Sequence, residues 1–515
     1  MSTEDQNKSV VTLNVGVDVD AFIEDMVSGT NHTEFMPNRR VELYNEKPDS
    51  LRNVDFVLTK EESEILKQDP RVLDVRYGTK VENGILLRPT AIESSKLFSK
   101  TTGLDNTHYN WAIPACTSAT NPFSTTSLNF SHAYTLIGTG VDVVIQDSGI
   151  EPNHPEWLNL TGTASRLQQI NWPSASGLSG TYTQGGNFYS DQDGHGTHVT
   201  GIAAGKLYGW AKGSNIYSMK IFDTDAFGVS ASFNMIRAWH NLKTTTSTGY
   251  KRPTVVNMSY EYYGTYTSIT GGNYRGTPWN GVSPVSAYGM VSTIYNRTGA
   301  SAPYTYLHPL RVTSVEADMA DCIAAGIILI GAAGNNAHKS DVNGGTDYDN
   351  YFNSSVDGIR YYHRGSTPGA ASNVTCVGGI RFSTVEGKSY FSNTGPRIDV
   401  FSPGEIIQSA IPISSATAGA EGTSDYPTDP TYKITKLSGT SQASPQVAGV
   451  VACVLEARPS YTPADVTAWV TGNAVENRVN NTGGGYTDTS SLQGAPNRYL
   501  QQPFNRNKVF SIVKT

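Results

Sequence analysis

The chain has 515 residues, of which 16% are charged, with 50 Gly and 28 Tyr. That length allows a large core and two to four domains, and the composition excludes a coiled coil or a disordered chain. A formal charge of −7 gives no reason to expect nucleic acid as a partner.

No run of 18 apolar residues occurs, so no membrane span is expected. Residues 1–6 carry neither the basic nor the apolar region of a secretory leader, so synthesis in the cytoplasm is the expectation. Cys116, Cys322, Cys376 and Cys453 are scattered without CxxC spacing. They read as buried small hydrophobes, and no disulfide framework is implied.

In chain order, residues 1–35 carry seven acidic side chains against Lys8, a balance of −6 (1 minus 7). The segment reads as a solvated acidic arm. Residues 36–88 read as a small α+β unit. Val54–Leu58 alternates as a strand does, Thr59 and Glu62 form a capping box, Glu61–Gln68 follows as a helix, and Arg71–Tyr77 reads as a second strand. A unit of this size buries little core alone and is expected to pack on a larger neighbour. Residues 89–110 are Ser/Thr-rich and read as a connector.

From Trp111 the pattern alternates. Val141–Gln146, Ile216–Phe222, Val255–Met258, Ile327–Ile330 and Val374–Gly378 read as buried strands. His198–Ala204, Ser230–Leu242, Ser314–Ala325 and Gln442–Ala457 read as the helices between them. Thr462 and Pro463 open one more helix. The fold class is therefore α/β, a mostly parallel, doubly wound sheet flanked by helices, with its site at the carboxyl ends of the strands.

The ends of those strands carry the chemistry. Asp147 closes the first strand before Ser148-Gly149. His195 opens a helix between Gly194 and Gly196. Asn335 follows Ala332-Ala333-Gly334. Ser441 stands in Gly439-Thr440-Ser441-Gln442-Ala443-Ser444-Pro445, read as a helix start with Gly439 freeing the backbone and Pro445 tolerated in the first turn. A serine nucleophile needs a base in hydrogen-bond reach, and that base needs an orienting carboxylate.

These motifs resemble the subtilisin-like serine proteases (subtilases), which run Asp–His–Ser in that order. Val255–Ser259 resembles the family's strand along the substrate groove, residues 390–404 its segment before the serine motif, and Gly494–Arg498 a proteinase K-type signature. The resemblance covers roughly residues 105–500, within a catalytic domain of 111–515. It implies an endopeptidase with Asp147, His195 and Ser441 as the triad. Asn335 and the Ser441 N–H would form the oxyanion hole, and Ser259, Tyr260, Ala332, Ala333 and Gly334 would bind a protein or peptide substrate. No cofactor is needed for that chemistry. Structural calcium is known in the family, but no acidic cluster locates a site, and no metal ligand is assigned.

Bland readings are kept for the neighbours. His198 reads as structural, His154 as a loop histidine, Ser444 as bonding a local carbonyl, Asp193 as a helix cap and Asn257 as a buried amide. The chain departs from the family after Ser259. Where Leu-Gly-Gly is usual it has Tyr260-Glu261-Tyr262-Tyr263-Gly264, followed by an insertion over 260–313 read as a long functional loop beside the cleft. Smaller excursions lie at 336–366 and 411–435. Residues 36–88 resemble the family's inhibitor-type propeptide, which implies a self-inhibited zymogen cut in the connector. The alternative is a structural or binding protein of an assembly, such as a virion, that uses the fold as scaffold and the insertion as contact surface.

Overall fold

The computed structural model describes residues 8–29, 35–44, 50–77, 86–89, 110–122, 136–266, 269–281, 289–290, 306–355, 358–413, 421–485 and 488–502. Most of the connector, including residues 90–109, lies outside them.

The N-terminal unit begins at Lys8, not at residue 36. Lys8–Leu13 is an inner strand of a four-stranded antiparallel sheet, between Asn53–Val57 and Val72–Tyr77. Glu42–Leu43 completes the sheet. The expected solvated arm is therefore corrected. Asp20, Glu24 and Asp25 lie on the helix Val19–Ser28, which buries Phe22 and Met26 one turn apart. Asp18 caps that helix by accepting from the Ala21 N–H at 3.1 Å, and Asp25 pairs with Arg71 at 2.7 Å. The predicted capping box is formed around the helix Lys60–Leu66, with Thr59 N–H on Glu62 at 2.8 Å and Glu62 N–H on Thr59 at 3.1 Å.

The unit docks on the helix Thr313–Ala324 through polar hooks. Ser50 Oγ donates to Asp318 at 2.6 Å, Arg52 reaches Asp321 and the Ala317 carbonyl, and Asn53 Nδ2 donates to the Ser314 carbonyl at 3.1 Å.

The large sheet has eight strands in the order Val475–Glu476, Arg498–Tyr499, Val400–Pro403, Thr375–Ile380, Ile328–Ala332, Thr254–Met258, Asp142–Asp147 and Asn215–Lys220. All neighbours run parallel except the first pair. Both faces are covered. Val143 and Ile145 pack with Val199 and Ile202 of the helix His195–Ala204 and with Val447, Val450 and Val451 of the helix Thr440–Ala457. Val144 points the other way, into a cluster with Phe233 and Met319, as period-two alternation requires. All four cysteines are buried free thiols.

The 260–313 insertion is largely strand where it is described. Ile269–Tyr274 and Thr277–Asn280 form a hairpin on a two-residue turn, Arg275-Gly276, with φ of 51° and 81°. Such left-handed pairs match the strand twist. Arg275 pins the hairpin to Asp347 at 2.6 Å, and Lys339 holds the same carboxylate at 2.6 Å. The hairpin pairs onward with Tyr351–Ser354. Tyr260–Tyr266 is the middle strand of a second small sheet, between Tyr306–Pro309 and Leu86–Pro89. Residues of the excursion 411–435 also build strands, with Glu421–Tyr426 and Ile407–Ile411 flanking Asp429–Leu437.

Candidate active site

Asp147 is the last residue of its strand and is fully buried. The chain turns there because residue 149 is Gly. Its φ is 122°, and a Cβ would lie 2.1 Å from the Ser190 carbonyl oxygen. Residue 196 is also Gly, and a Cβ there would lie 2.2 Å from the Gly149 oxygen. The aspartate and histidine motifs thus meet backbone to backbone, which sets Asp147 Oδ1 2.8 Å from His195 Nδ1. An ionised carboxylate only accepts, so His195 carries its proton on Nδ1 and leaves Nε2 as the basic nitrogen. Nε2 is buried and has no hydrogen-bond partner among the described residues. Burial alone lowers the His195 pKa. The charge and hydrogen bond of Asp147, with Asp193 and Asp191 behind it, outweigh burial and raise it above the ordinary histidine value.

Two aspartates brace this pair. Asp193 accepts the His195 N–H at 3.2 Å, but the N-cap position is Gly194, so the expected cap is corrected. Asp191 was not singled out from the sequence, yet it joins the two motifs. It accepts from Ser148 Oγ at 2.9 Å and from the Gly194 and Thr197 N–H groups at 2.8 Å each. Burial pushes its pKa up to about 6 against those donors. Its distance of four residues before His195, in Asp-Gln-Asp-Gly-His, was the available signal.

Ser441 is the second residue of the helix Thr440–Ala457. Two expectations about its motif are corrected. Gly439 has φ 163° and ψ 162°, extended backbone open to any residue. Pro445 lies in the helix interior, beyond the first turn. Lacking an N–H, it cannot bond the carbonyl four residues back, which is that of Ser441. Ser259 Oγ donates to that carbonyl instead, at 2.9 Å. In return Ser441 Oγ donates to the Ser259 carbonyl at 3.0 Å. Asn257 Nδ2 donates to Ser259 Oγ, and Ser444 Oγ donates to Asn257 Oδ1, each at 2.8 Å. Asn257 is thus a buried structural amide, while Ser444 bonds a side chain and not the local carbonyl expected.

Asn335 follows Gly334 and is buried. Its Oδ1 accepts from the Thr440 N–H and hydroxyl, each at 2.9 Å. An N–H can meet only the amide oxygen, so this pairing fixes the amide's orientation and turns Nδ2 away from Thr440. The structure therefore brings Asp147 to His195, and Asn335 and Ser259 to the Thr440-Ser441 helix start.

The expected substrate positions divide. Ser259 is the hinge just described. Tyr260 does not present its side chain to a groove. It is fully buried beside Phe222, with its hydroxyl on Gln146, so only its backbone is available. Ala332 and Ala333 are buried, and Gly334 turns with φ 102°. Glu261 was passed over and is also fully buried. Its Oε1 accepts from the Asn335 N–H at 3.3 Å and from Asn336 Nδ2 at 3.0 Å.

The two neighbouring histidines, His198 and His154, are structural. His198 Nε2 meets the Thr435 carbonyl at 3.2 Å, and burial drops its pKa to about 3. His154 is not a loose loop residue. It is buried, and its Nδ1 caps the turn Pro155–Trp157 by accepting the Glu156 N–H at 3.1 Å. Among the described residues no group of three or more His, Cys, Asp or Glu side chains could hold a metal ion, and no helix is long and apolar enough to cross a membrane.

The fold and site define a doubly wound α/β protein with a buried Asp–His pair and a serine at the start of a second helix on the same sheet face. The Peptidase S8 profile, the subtilase family, matches residues 138–495, and the chain belongs to that family. It is 26% identical over 372 residues to Subtilisin-like protease 2 of Arthroderma benhamiae, a match covering 72% of this chain and 63% of that protein. The chain therefore spans less than two thirds of that relative's length. It is 25% identical over 455 residues to an extracellular serine proteinase of Thermus sp. (strain Rt41A), covering 88% of this chain and 76% of that protein. The crystal structure of fervidolysin from Fervidobacterium pennivorans, a keratinolytic enzyme related to subtilisin, shares the fold. Its TM-score is 0.50 at 17% identity, over 95% of this chain and 60% of that one.

Proposed function

We propose that this protein is a serine endopeptidase made as a self-inhibited zymogen. The observation that carries the reading is the buried Asp147–His195 pair, whose 2.8 Å bond leaves Nε2 as a base on the sheet face where Ser441 starts its helix. In this mechanism Ser441 Oγ leaves the Ser259 carbonyl when substrate binds and attacks the peptide carbonyl carbon. Its proton passes to His195 Nε2, and Asp147 stabilises the imidazolium. The carbonyl oxygen becomes an oxyanion held by Asn335 Nδ2 and the Ser441 N–H at the positive end of the helix. Collapse breaks the C–N bond, with the His195 proton going to the leaving amine. Water then repeats the sequence on the acyl-enzyme, with His195 as base and Ser441 as leaving group.

The N-terminal unit supports the zymogen reading. Leu86–Pro89 runs antiparallel to Tyr260–Tyr263, with Pro89 opposite Tyr260. A peptide substrate would add to that edge in the same way. That strand follows Ser259, whose carbonyl accepts Ser441 Oγ, and the self-cut is assigned to the connector that follows Pro89.

The test is the intact mass of the wild type beside Ser441→Ala, with fluorophosphonate labelling of both. The expected result is a labelled wild type shortened by a cut in the connector and an unlabelled, full-length variant. A wild type that never takes up the probe overturns the reading.

A further inference from the structure

We infer that Glu261 sets the selectivity of the site, closing the position for the residue before the scissile bond to all but small side chains. The inference rests on the protease reading above. Thr254–Met258 and Ile328–Ala332 are neighbouring parallel strands, with Gly331 opposite Met258. The ladder ends at that pair, and residues 259–261 and 333–335 continue the two strands without pairing to each other among the described residues. A peptide laid along Tyr260–Tyr263, with its reacting carbonyl between Ser441 and Asn335, must send that side chain into the gap between them.

Glu261 spans the gap. Its backbone belongs to the first wall and its carboxylate lies on the second. Oε1 accepts from Asn335 and Asn336, and Oε2 sits where a Cβ on Gly334 would be, 2.2 Å away. Asn393 ties the same wall, with Nδ2 on the Ala333 carbonyl at 2.7 Å and its N–H on the Gly334 carbonyl at 2.9 Å, and its Nδ2 would lie 2.4 Å from that same Gly334 Cβ. The wall therefore cannot retreat cheaply. A large side chain would have to displace a buried carboxyl group from two donors. Glycine in place of Glu261 would leave the gap open.

The test uses the full chain, wild type and Glu261→Ala, each titrated with a fluorophosphonate. A mixture of peptides differing at the residue before the cut is digested, and products are identified by mass spectrometry. The wild type is expected to cut after Gly, Ala, Ser or Thr. Glu261→Ala is expected to raise kcat/KM after Leu and Phe by about 10- to 100-fold, the range that a change in pocket fit gives. Glu261→Gln keeps the bulk and is expected to keep the small-residue preference.

A wild type that cuts readily after Leu or Phe overturns the inference, and that arm needs no folded variant. So does an unchanged profile in a labelled Glu261→Ala. A wild-type preference for Lys or Arg that Glu261→Gln removes would replace the closed gap with an ion pair, and would also overturn it. In each of these cases the protein is labelled and active, so the protease reading stands. A wild type that neither labels nor cuts overturns both.

Discussion

Pro445 and Ser259 make a prediction that depends on backbone geometry alone. Pro445 denies the Ser441 carbonyl its intrahelical donor, and Ser259 Oγ supplies one. Ser259→Ala removes that donor and also the acceptor of Asn257 Nδ2. Losing a partner costs a buried polar group about 1–3 kcal/mol, so the substitution should destabilise the catalytic domain by roughly 2–4 kcal/mol. Pro445→Ala restores an N–H four residues after Ser441. Combined with Ser259→Ala it should recover about 1 kcal/mol that neither single change predicts. All four arms belong in a Ser441→Ala background, which stops self-cutting and leaves the carbonyl in place. Urea unfolding followed by tryptophan fluorescence reads the domain, since Trp157, Trp172 and Trp210 are buried within it. Effects that add within about 0.5 kcal/mol would mean the two residues are not coupled through the Ser441 carbonyl, and the account would fail.

Two further outcomes follow from the site. Asn335→Ala should lower kcat by about 10²–10³-fold with KM little changed, the magnitude established for the equivalent donor of subtilisin; a loss confined to KM in steady-state peptide hydrolysis would remove Asn335 from the oxyanion hole. The pH–rate profile should lose activity on the acid side, because His195 must be neutral to act, with a midpoint above the ordinary histidine value of 6.5. The stability linkage has the opposite sign. A histidine whose folded pKa is raised contributes stability that is full below 6.5 and lost as pH rises through the folded value. Acid-limb kinetics and pH-dependent unfolding should therefore diverge, and parallel curves would show that His195 does not control the acid limb.

The contrast between charge and periodicity explains what the sequence showed at the N-terminus. A balance of −6 over 35 residues reflects in part Asp20, Glu24 and Asp25 on the helix Val19–Ser28. It says nothing of Phe22 and Met26 beneath, or of Val11 and Leu13 in the neighbouring strand. The insertion was unreadable for another reason. Its composition suggests a loop, and its strands exist because partners come from elsewhere in the chain, Tyr351–Ser354 for Ile269–Tyr274 and Leu86–Pro89 for Tyr260–Tyr263. Local pattern carries no record of such pairing.

The sequence by itself determined which groups end which strands. Asp147, His195, Asn335 and Ser441 each stand at or near the end or start of an element beside glycine or small residues, and such boundary chemistry is local. It also determined the two-sided parallel sheet, because continuous apolar runs alternating with helices have few other packings. Only the tertiary structure decided what each group faces. Asn335 meets Thr440 across 105 residues, and Ser259 meets Ser441 across 182. Glu261 lies against Asn335 and Asn336, and Asp191 joins the aspartate and histidine motifs. Those partners are set by how strands pack side by side, and packing depends on the whole core rather than on the residues adjoining each motif.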